Sequence, residues 1–507
     1  MNREIPILVG VGQITVRDEP LEQLSSPLDL IEAAALGAAR DAGLSPEQLR
    51  RVDQIAVVKS FREPTRNSAE SLARRLGAED AQHWLVPDGG QAPQYLVNHY
   101  AEEIAQGRSK FVLLSGAEAM DNARRLIKAG RKPAWSEPAS HEPQYLYPDA
   151  PMASDHESAH GIWRANHVYP LFENALRGHY GESIDVYQQS LGTLFSKFSA
   201  VAAQSPNAWF PIHRSAQEIA EIGPKNRYVA FPHTKFMNAM NQINQSAVVL
   251  MTSQAHARSL GIEQSRWVYL HGCADTIEHG FMAERVNYFS SPALRVLGEQ
   301  AFAMAKRSLA DMNFVDIYSC FPCAVAIARD ELGFGKDDPR PLTVTGGLPF
   351  HGGAGNNYSM NAIASMADKL RAEPGSFGLV TANGGYLSKH SAGIYSTTPV
   401  TQAWQRPAPS TYQAQIDNLS APPLVQAPHG KAQIETYTVT FGRDGKPERG
   451  IVIGRLGIDS DAMAPRFLAN LPKDTALLES VTVTDLLAAH GQVEQVDGLN
   501  IFTPTSC

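Results

Sequence analysis

The chain has 507 residues, of which 43% are hydrophobic and 19% are charged, as in an ordinary globular protein. A formal net charge of -8 argues against a dedicated binder of nucleic acid or anionic membranes. The sequence has no run of 18 apolar residues, so no membrane span is predicted. Four cysteines in so long a chain do not form a disulfide framework. We therefore expect several domains in a reducing cytoplasm.

Two parts of the chain begin with the same order of elements. Residues 7–16 (ILVGVGQITV) predict a strand, and Ser25-Ser26-Pro27 then opens a helix that leads to a strand beginning at Val52. In the second half of the chain, Ser290-Ser291-Pro292 opens a helix of similar length, which leads to a strand beginning at Val315. This repetition indicates an internal duplication of an α/β unit.

The region between these copies contains a sharp turn and a long insertion. Residues 83–107 predict a strand, the turn Asp88-Gly89-Gly90-Gln91 and a helix, and residues 111–120 (FVLLSGAEAM) predict a buried strand. Residues 121–228 show an irregular pattern rich in Pro, His and aromatic residues. Long irregular stretches inside an enzyme domain are typically lids over a substrate.

Two glycine-rich loops follow in the second copy. Residues 345–358 (TGGLPFHGGAGNNY) hold five glycines and precede a helical pattern, so backbone N–H groups at a helix N-terminus are available to an anion or oxyanion. Residues 377–390 (FGLVTANGGYLSKH) form an apolar strand that opens into a second polar loop.

These loops resemble the paired C-terminal loops of the thiolase superfamily, a GGL…GHPxGATG segment and a CxGGG segment. The segment MNAMNQINQSAVVLM, from residue 237, is similar to a further thiolase segment, although Gln245 and Ser246 stand where Asp and Gly are usual. The resemblance implies an α/β fold, the duplicated thiolase fold, packed as a five-layered αβαβα sandwich. It implies a first half at residues 1–120 and 235–285, a loop insertion over the acyl-CoA at 121–234, and a second half at 286–400.

The last part of the chain differs in composition. Residues 401–430 are Pro-rich and predict a linker. Residues 431–507 alternate in a β pattern, around an Arg443-Asp444-Gly445-Lys446 hairpin turn and with a further strand pair near 480–484 and 499–503. The segment GRDGKPERGIVIGRL resembles the additional domain of thiolase-like proteins of type 1, so we expect a small barrel-like β-domain. It carries seven Lys/Arg against ten Asp/Glu, which favours a structural or partner-docking role over nucleic-acid binding.

The resemblance also implies a site that has lost its cysteines. Gln91 stands where thiolases have the nucleophilic cysteine, and the CxGGG-like segment reads TANGGY, with Ala382 and Asn383. Tyr318 takes the place of an Asn or His in the segment YSCF. An amide cannot form a thioester, so the covalent thiolase mechanism is not expected.

The position of the family histidine is left open by the sequence. Either His351 serves, with a shortened loop before it, or the loop is rebuilt around Asn356 and Asn357. The candidate site is a shell of polar residues that can polarise a thioester carbonyl. Its members are Gln91, Tyr318, His351, Asn356, Asn383, Lys389 and His390.

Two other motifs are weaker candidates for a functional site. Cys320-Phe321-Pro322-Cys323 is a CxxC sequence, which without a second pair predicts two packed thiols rather than a redox or metal site. His156-Glu157-Ser158-Ala159-His160 matches the HExxH signature of zinc peptidases, but nothing else in the chain is peptidase-like.

The leading hypothesis is a cytoplasmic protein of lipid metabolism, related to acetyl-CoA acetyltransferases, that takes a coenzyme A thioester as substrate or ligand and holds no cofactor or metal tightly. Acyl transfer or decarboxylation would then proceed without a covalent thioester. A non-catalytic CoA-ester scaffold protein is the second hypothesis, and a zinc hydrolase is the remote third. Thiolases form dimers or tetramers, but the added domain can block that interface, so the oligomeric state stays open.

Overall fold

The computed structural model describes residues 4–457 and 463–505. Its first half alternates strands and helices as expected, and a long strand, β7, returns to it after the insertion. The elements are β1 (Pro6–Thr15), α1 (Pro27–Asp41), β2 (Gln54–Val58), α2 (Ser68–Arg75), β3 (Gln82–Val86), α3 (Ala92–Ala105), β4 (Phe111–Ala119), α4 (Met120–Lys128), β7 (Asn244–Ser253) and α9 (Gln254–Ser259).

The second half repeats this order. Its elements are β8 (Val268–Ile277), α10 (Pro292–Ala305), β9 (Phe314–Asp316), α11 (Pro322–Glu331), α12 (Tyr358–Ala372), β10 (Phe377–Gly384) and β11 (Lys389–Ser396). As predicted, Ser26 caps α1 and Ser291 caps α10 through its side-chain oxygen, each followed by proline in the first turn.

All nine strands form one sheet, in the order β3-β2-β4-β7-β1-β8-β11-β10-β9. If the edge strand β3 is set aside and the strands of each half are numbered separately in chain order, the first half reads 2-3-4-1 and the second reads 1-4-3-2. The two halves are therefore mirrored copies in strand order, joined where β1 and β8 pair over two residues each.

Helices lie on both faces of these strands. The outer helix α1 packs on β1, β4 and β7, and α10 packs on β8 and β11. In contrast, α3 and α12 pack against each other, and each contacts strands of both halves. They form the central layer. The predicted turn Asp88-Gly89-Gly90-Gln91 precedes α3, and the glycine-rich loop at 345–358 precedes α12.

One predicted boundary between the halves differs from the topology. We assigned residues 235–285 to the first half, but β8 pairs along eight residues with β11 and only along two with β1. The strand therefore belongs with the second half, and the division falls between α9 and β8.

The insertion is more helical than its composition suggested. It contains α5 (Asp155–Ala159), α6 (Ala165–Tyr180), α7 (Ile184–Ala202), α8 (Ala216–Ala220) and the short strands β5 (Tyr228–Ala230) and β6 (His233–Thr234). The irregular pattern arises because α6 carries Pro170 in its interior and because α5 and α8 are single short turns between polar loops.

The C-terminal domain is a closed barrel of five strands. After α13 (Ser410–Asp417) come β12 (Gly430–Phe441), β13 (Pro447–Leu456), β14 (Arg466–Asn470), α14 (Thr475–Ser480), β15 (His490–Val496) and β16 (Leu499–Pro504). Around the barrel the order is β12-β13-β14-β16-β15, and β12 closes it by pairing with both β13 and β15.

The strand predicted at residues 480–484 is wrong. Asp474 accepts hydrogen bonds from the N–H groups of Ala476 and Leu477 and so starts α14, which runs into turns rather than into a strand. The partner of the correctly predicted strand at 499–503 is instead β15.

The barrel packs closely on the α/β halves. Ile451, Ile453 and Leu468, on β13 and β14, belong to the same hydrophobic core as α6 and the central helices. The face that oligonucleotide-binding barrels of this kind use, which includes their second and third strands, is thus partly covered by the chain itself. Within residues 4–457 and 463–505, no helix has both the length and the apolar character that crossing a bilayer requires.

Candidate functional site

The predicted loops converge on one cavity of about 610 Å³. The turn at Asp88, the segment at Tyr318, the glycine-rich loop at Asn356 and the loop at Asn383 all line it. Residues of the insertion, including Trp163, Arg164 and Tyr169, form a further part of the wall, as expected of a segment that covers a substrate.

Asn356 holds the turn before α3. Its Oδ1 accepts a hydrogen bond from the N–H of Gly89 at 2.9 Å, and its Nδ2 donates to Oδ1 of Asp88 and to the carbonyl of Lys59, both at 2.9 Å. The loop around Asn356 is therefore rebuilt as a clamp on the turn, one of the two arrangements that the sequence left open.

Gly90, and not Gln91, lies opposite the other predicted groups. A Cβ atom at position 90 would overlap with the hydroxyl of Tyr318 and lie 2.5 Å from the carbonyl oxygen of Asn383. The Tyr318 hydroxyl thus occupies the space that a side chain at position 90 would need.

The side chain of Gln91 is buried beside the same loops. Gln91 is the N-cap residue of α3 and is 6% exposed, and its amide is absent from the cavity wall. It packs against Gly89 and Gly384, and its Nε2 donates to the hydroxyl of Tyr147 at 3.3 Å. Gln91 thus ties α3 to the insertion, while its Oε1 lies against Gly89 and Gly384 without a hydrogen-bond partner among the described residues. Its predicted contact with a bound thioester stays a prediction.

Tyr318 supplies a hydrogen-bond donor to the cavity. Its hydroxyl has no protein hydrogen-bond partner among the described residues, while its backbone N–H donates to Thr381. Burial raises the pKa of Tyr318 above its ordinary value. The phenol therefore keeps its proton at neutral pH and can donate it in a hydrogen bond.

Asn383 is oriented by Tyr169, a residue that the sequence argument did not identify. The Tyr169 hydroxyl donates to the carbonyl of Gly385 at 3.2 Å and accepts from the N–H of Leu387 and from Nδ2 of Asn383, the latter at 2.9 Å. Tyr169 lies on α6, inside the insertion, where one aromatic among many gave no signal of its role.

Cys320 is the one cysteine on the cavity wall within the described part of the chain. Its thiol lies 3.8 Å from Nδ2 of Asn383, and burial raises the pKa of Cys320 to about 12. A thiol with such a pKa is not a thiolate at neutral pH and is a poor nucleophile.

The second cysteine of the CxxC sequence takes part in a buried network. The N–H of Cys323 and Nε2 of His233 both contact one carboxylate oxygen of Glu173, at 2.7 and 2.6 Å, and the Tyr187 hydroxyl donates to the other at 2.6 Å. The four elements that meet here, α6, α7, β6 and α11, support the wall that carries Cys320 and Phe321. Cys320 and Cys323 are free, buried thiols, as the sequence predicted.

His351 and His390 are buried outside the cavity wall. His351 lies in the core with its ring edge-on to Tyr358, at 6.0 Å between ring centroids. His390 contacts the carbonyl of Leu387 through Nε2 at 3.2 Å.

Lys389 donates to the carbonyl of Asp88 at 3.3 Å and so supports the turn before α3. The cavity thus gathers Tyr318, Asn356 and Asn383, while the two predicted histidines stand apart.

Burial lowers the pKa of His351 and of His390 to about 4. Because their unfolded-state pKa is about 6.5, the unfolded chain binds more protons between pH 6.5 and 4, and stability is lost as the pH falls through this window. We expect the stability difference between the wild type and the double variant H351Q/H390Q to shrink as the pH falls from 7 to 4.5. Urea denaturation at several pH values measures this difference, and a pH-independent difference would contradict the buried, neutral state of both rings.

The mouth of the cavity combines aromatic rings with cations. Phe61 and Trp163 are each 48% exposed, and the guanidinium of Arg164 lies 4.0 Å from the ring centroid of Trp163. The exposed Lys235 lies on the same rim. These residues were not identified from the sequence, because nothing in their local pattern separates them from ordinary surface positions.

The zinc-peptidase hypothesis is wrong. In His160, Nδ1 donates to the carbonyl of His156 at 2.8 Å, and Nε2 accepts from the N–H of Asn500 at 3.1 Å, so no ring lone pair is left for a metal. Glu157 caps its own five-residue helix and accepts from the N–H of Ala283. The motif therefore joins the insertion to the barrel.

Comparisons with known proteins agree with this architecture. The family model described as "Thiolase-like protein type 1 additional C-terminal domain" matches residues 411–498. The chain is similar over its whole length, at 35% identity and a TM-score of 0.85, to the crystal structure of a monomeric SCP2-thiolase-like protein type 1 from Mycobacterium smegmatis, all of which is covered. No curated protein matches significantly.

More distant structures share the fold. An Ltp2–ChsH2(DUF35) aldolase is 19% identical, with a TM-score of 0.59, over 79% of this chain and 100% of that one. An acetyl-CoA acetyltransferase from Syntrophomonas wolfei is 13% identical, with a TM-score of 0.56, over 78% of this chain and 100% of that one. The predicted thiolase fold with an additional C-terminal domain is confirmed, and the chain belongs to the SCP2-thiolase-like proteins of type 1.

Proposed function

We propose that the cavity binds a coenzyme A thioester and that any reaction on it, acyl transfer or decarboxylation, proceeds without a covalent acyl-enzyme. The observation that carries this proposal is the state of the sulfur at the site. The single cysteine of the described cavity wall, Cys320, has a pKa of about 12, and the turn before α3 presents Gly90 instead of a nucleophile.

The polar groups on the wall suit polarisation of a carbonyl. A protonated Tyr318 hydroxyl is free to donate a hydrogen bond to a thioester oxygen or to an enolate that develops from it. A fixed donor in a water-poor cavity is worth more than in solution, since little reorganisation is needed during the reaction. Tyr318 is the residue to which we assign this role.

The cavity mouth suits the nucleotide part of coenzyme A. The exposed ring of Trp163 offers a surface for a purine base. Arg164 and Lys235 offer charge to phosphate groups at the same opening. The acyl part would then lie deeper, towards Phe321 and Leu348.

A non-catalytic CoA-ester protein is the second candidate, and one observation favours it. Among the described cavity residues there is no histidine, and the one carboxylate, Asp88, is held by Asn356 and paired with Lys59 at 3.1 Å. A general base for proton transfer is therefore not evident on the wall.

Calorimetric titration with CoA and acetoacetyl-CoA, alongside an assay of acetoacetyl-CoA turnover, tests both candidates. Binding with turnover that Y318F abolishes would support catalysis, whereas binding with no turnover would support the second candidate. Failure of both ligands to bind would overturn the proposal.

We further propose that the working unit is a single chain. The outer edge of β3 is occupied, since the Leu85 N–H donates to the Gln144 carbonyl at 2.8 Å and the Leu146 N–H donates to the Leu85 carbonyl at 3.0 Å. A paired edge cannot accept a strand from a second copy. We expect light scattering after size exclusion to give about the chain mass of 55.1 kDa, and a dimer mass at micromolar concentration would contradict this.

The proposed setting is the cytoplasm, in lipid metabolism. The three described cysteines are free and buried, which suits a reducing compartment. For the barrel we propose a structural role in supporting the insertion, because β12 packs on α6.

A further inference from the structure

The cavity wall contains two buried amide oxygens that have no hydrogen-bond partner among the described residues. They are Oδ1 of Asn383 and Oδ1 of Asn238, in residues that are 5% and 8% exposed. Leaving a buried acceptor unpaired is unfavourable, so each such atom in a native protein calls for an explanation.

The orientation of each amide is fixed by its neighbours. The Tyr169 hydroxyl already donates to Gly385, so it faces Asn383 with a lone pair, and the NH₂ group of Asn383 must point to it. Nδ2 of Asn238 donates to the carbonyl of Thr234 at 2.7 Å, and a carbonyl can only accept. In both residues the unpaired atom is therefore the oxygen.

The two amides lie close to the same part of the cavity. The N–H of Ala239, next to Asn238, donates to the carbonyl of Cys320 at 3.0 Å. The thiol of Cys320 in turn lies 3.8 Å from Nδ2 of Asn383. The backbone oxygen of Asn383 lies beside Gly90 and the Tyr318 hydroxyl. The inner cavity thus combines one free donor with two unpaired acceptors.

We propose that the acyl group bound here carries a hydroxyl near its thioester, as in a 3-hydroxyacyl thioester. The Tyr318 hydroxyl donates to the thioester carbonyl, and the hydroxyl of the acyl group donates to Oδ1 of Asn383. Oδ1 of Asn238 accepts an amide N–H of the pantetheine arm, which all acyl-CoA ligands share. A keto or saturated acyl group offers no donor at this position and leaves Asn383 unpaired. This inference rests on the proposed function, because it specifies the ligand of that site.

The test compares three ligands of equal chain length, 3-hydroxyoctanoyl-CoA, 3-oxooctanoyl-CoA and octanoyl-CoA, by calorimetry on the full chain. We expect the hydroxy ester to bind about tenfold more tightly than the other two. Equal or weaker binding of the hydroxy ester would overturn the inference while leaving CoA-ester binding intact. Failure of all three to bind would overturn the proposed function itself.

Variants of Asn383 and Asn238 test whether their amide oxygens are the acceptors that bind the ligand. N383L should reduce the tenfold preference to within about twofold, because leucine has a similar volume and no acceptor. If loss of the Tyr169 contact prevents N383L from folding, N238L provides the second measurement and should weaken binding of all three esters. The control N418L, at the exposed end of α13, makes the same chemical change away from the cavity. A full preference retained in N383L, or no weakening in N238L, would contradict the assignment.

Discussion

Replacing Gly90 with alanine is expected to abolish ligand binding at the cavity. The added Cβ would overlap with the Tyr318 hydroxyl and lie 2.5 Å from the backbone oxygen of Asn383. Neither neighbour can retreat easily, since Tyr318 is buried and the Asn383 oxygen is part of the main chain of β10. Overpacking of this kind typically costs about 1–3 kcal/mol of stability, and here it displaces the Tyr318 hydroxyl, the donor that we assign to the thioester carbonyl.

The measurement is calorimetry with octanoyl-CoA, combined with a thermal melt to confirm that G90A is folded. We expect at least a tenfold loss of affinity in the folded variant. G223A serves as a control, since a Cβ at Gly223 meets no atom within 4 Å and its backbone is not in the left-handed region. Unchanged binding by G90A would show that the turn before α3 is not part of the ligand site.

The second large effect is expected at Arg466, which is fully buried between the barrel and the second half. Its guanidinium donates to Glu435 on β12 and to the backbone carbonyls of Ala283, Arg285 and Val286, and it lies 4.7 Å from the ring centroid of Tyr288. Removing the guanidinium leaves the carbonyls of Ala283 and Arg285 without this donor, and an unsatisfied buried acceptor typically costs about 1–3 kcal/mol, whereas Glu435 keeps its contact with Arg455. We therefore expect R466M to weaken docking of the barrel severely.

Hydrogen exchange followed by mass spectrometry measures this loss directly. In R466M, protection should fall in β12 and β14 and in residues 281–286, whereas α1 and β2 should stay protected. R455M is the matched control, since Arg455 contacts the same carboxylate of Glu435 but lies nearer to solvent. Similar exchange in R466M and the wild type would show that docking of the barrel does not depend on Arg466.

The sequence predicted the architecture well because its signals are local and repeated. The serine caps before Pro27 and Pro292 set two helix starts, and the fully buried strand β4 follows from its continuous apolar run. Where two local signals competed, prediction failed. The run VTVT at 481–484 favours a strand, but the cap at Asp474 starts a helix just before it.

The candidate site was predicted in its loops but not in all of its side chains. The turn before α3 was found, yet whether Gly90 or Gln91 faces the ligand depends on how the helix begins, and composition does not determine that. His351 was a candidate because it can be matched to the histidine of the thiolase GHP segment, but its side chain is buried in the core, and Gln245 donates to its backbone carbonyl at 2.8 Å. Tyr169 and Asn238 act through tertiary contacts, which no local pattern reveals.

Native mass spectrometry of the wild-type chain mixed with octanoyl-CoA distinguishes non-covalent binding from a covalent acyl-enzyme. We expect a one-to-one complex under native conditions and, after denaturation, a chain of unmodified mass. An octanoyl adduct that survives denaturation would show a covalent acyl-enzyme and contradict the proposed chemistry. The absence of any complex would show that the cavity does not bind the ester.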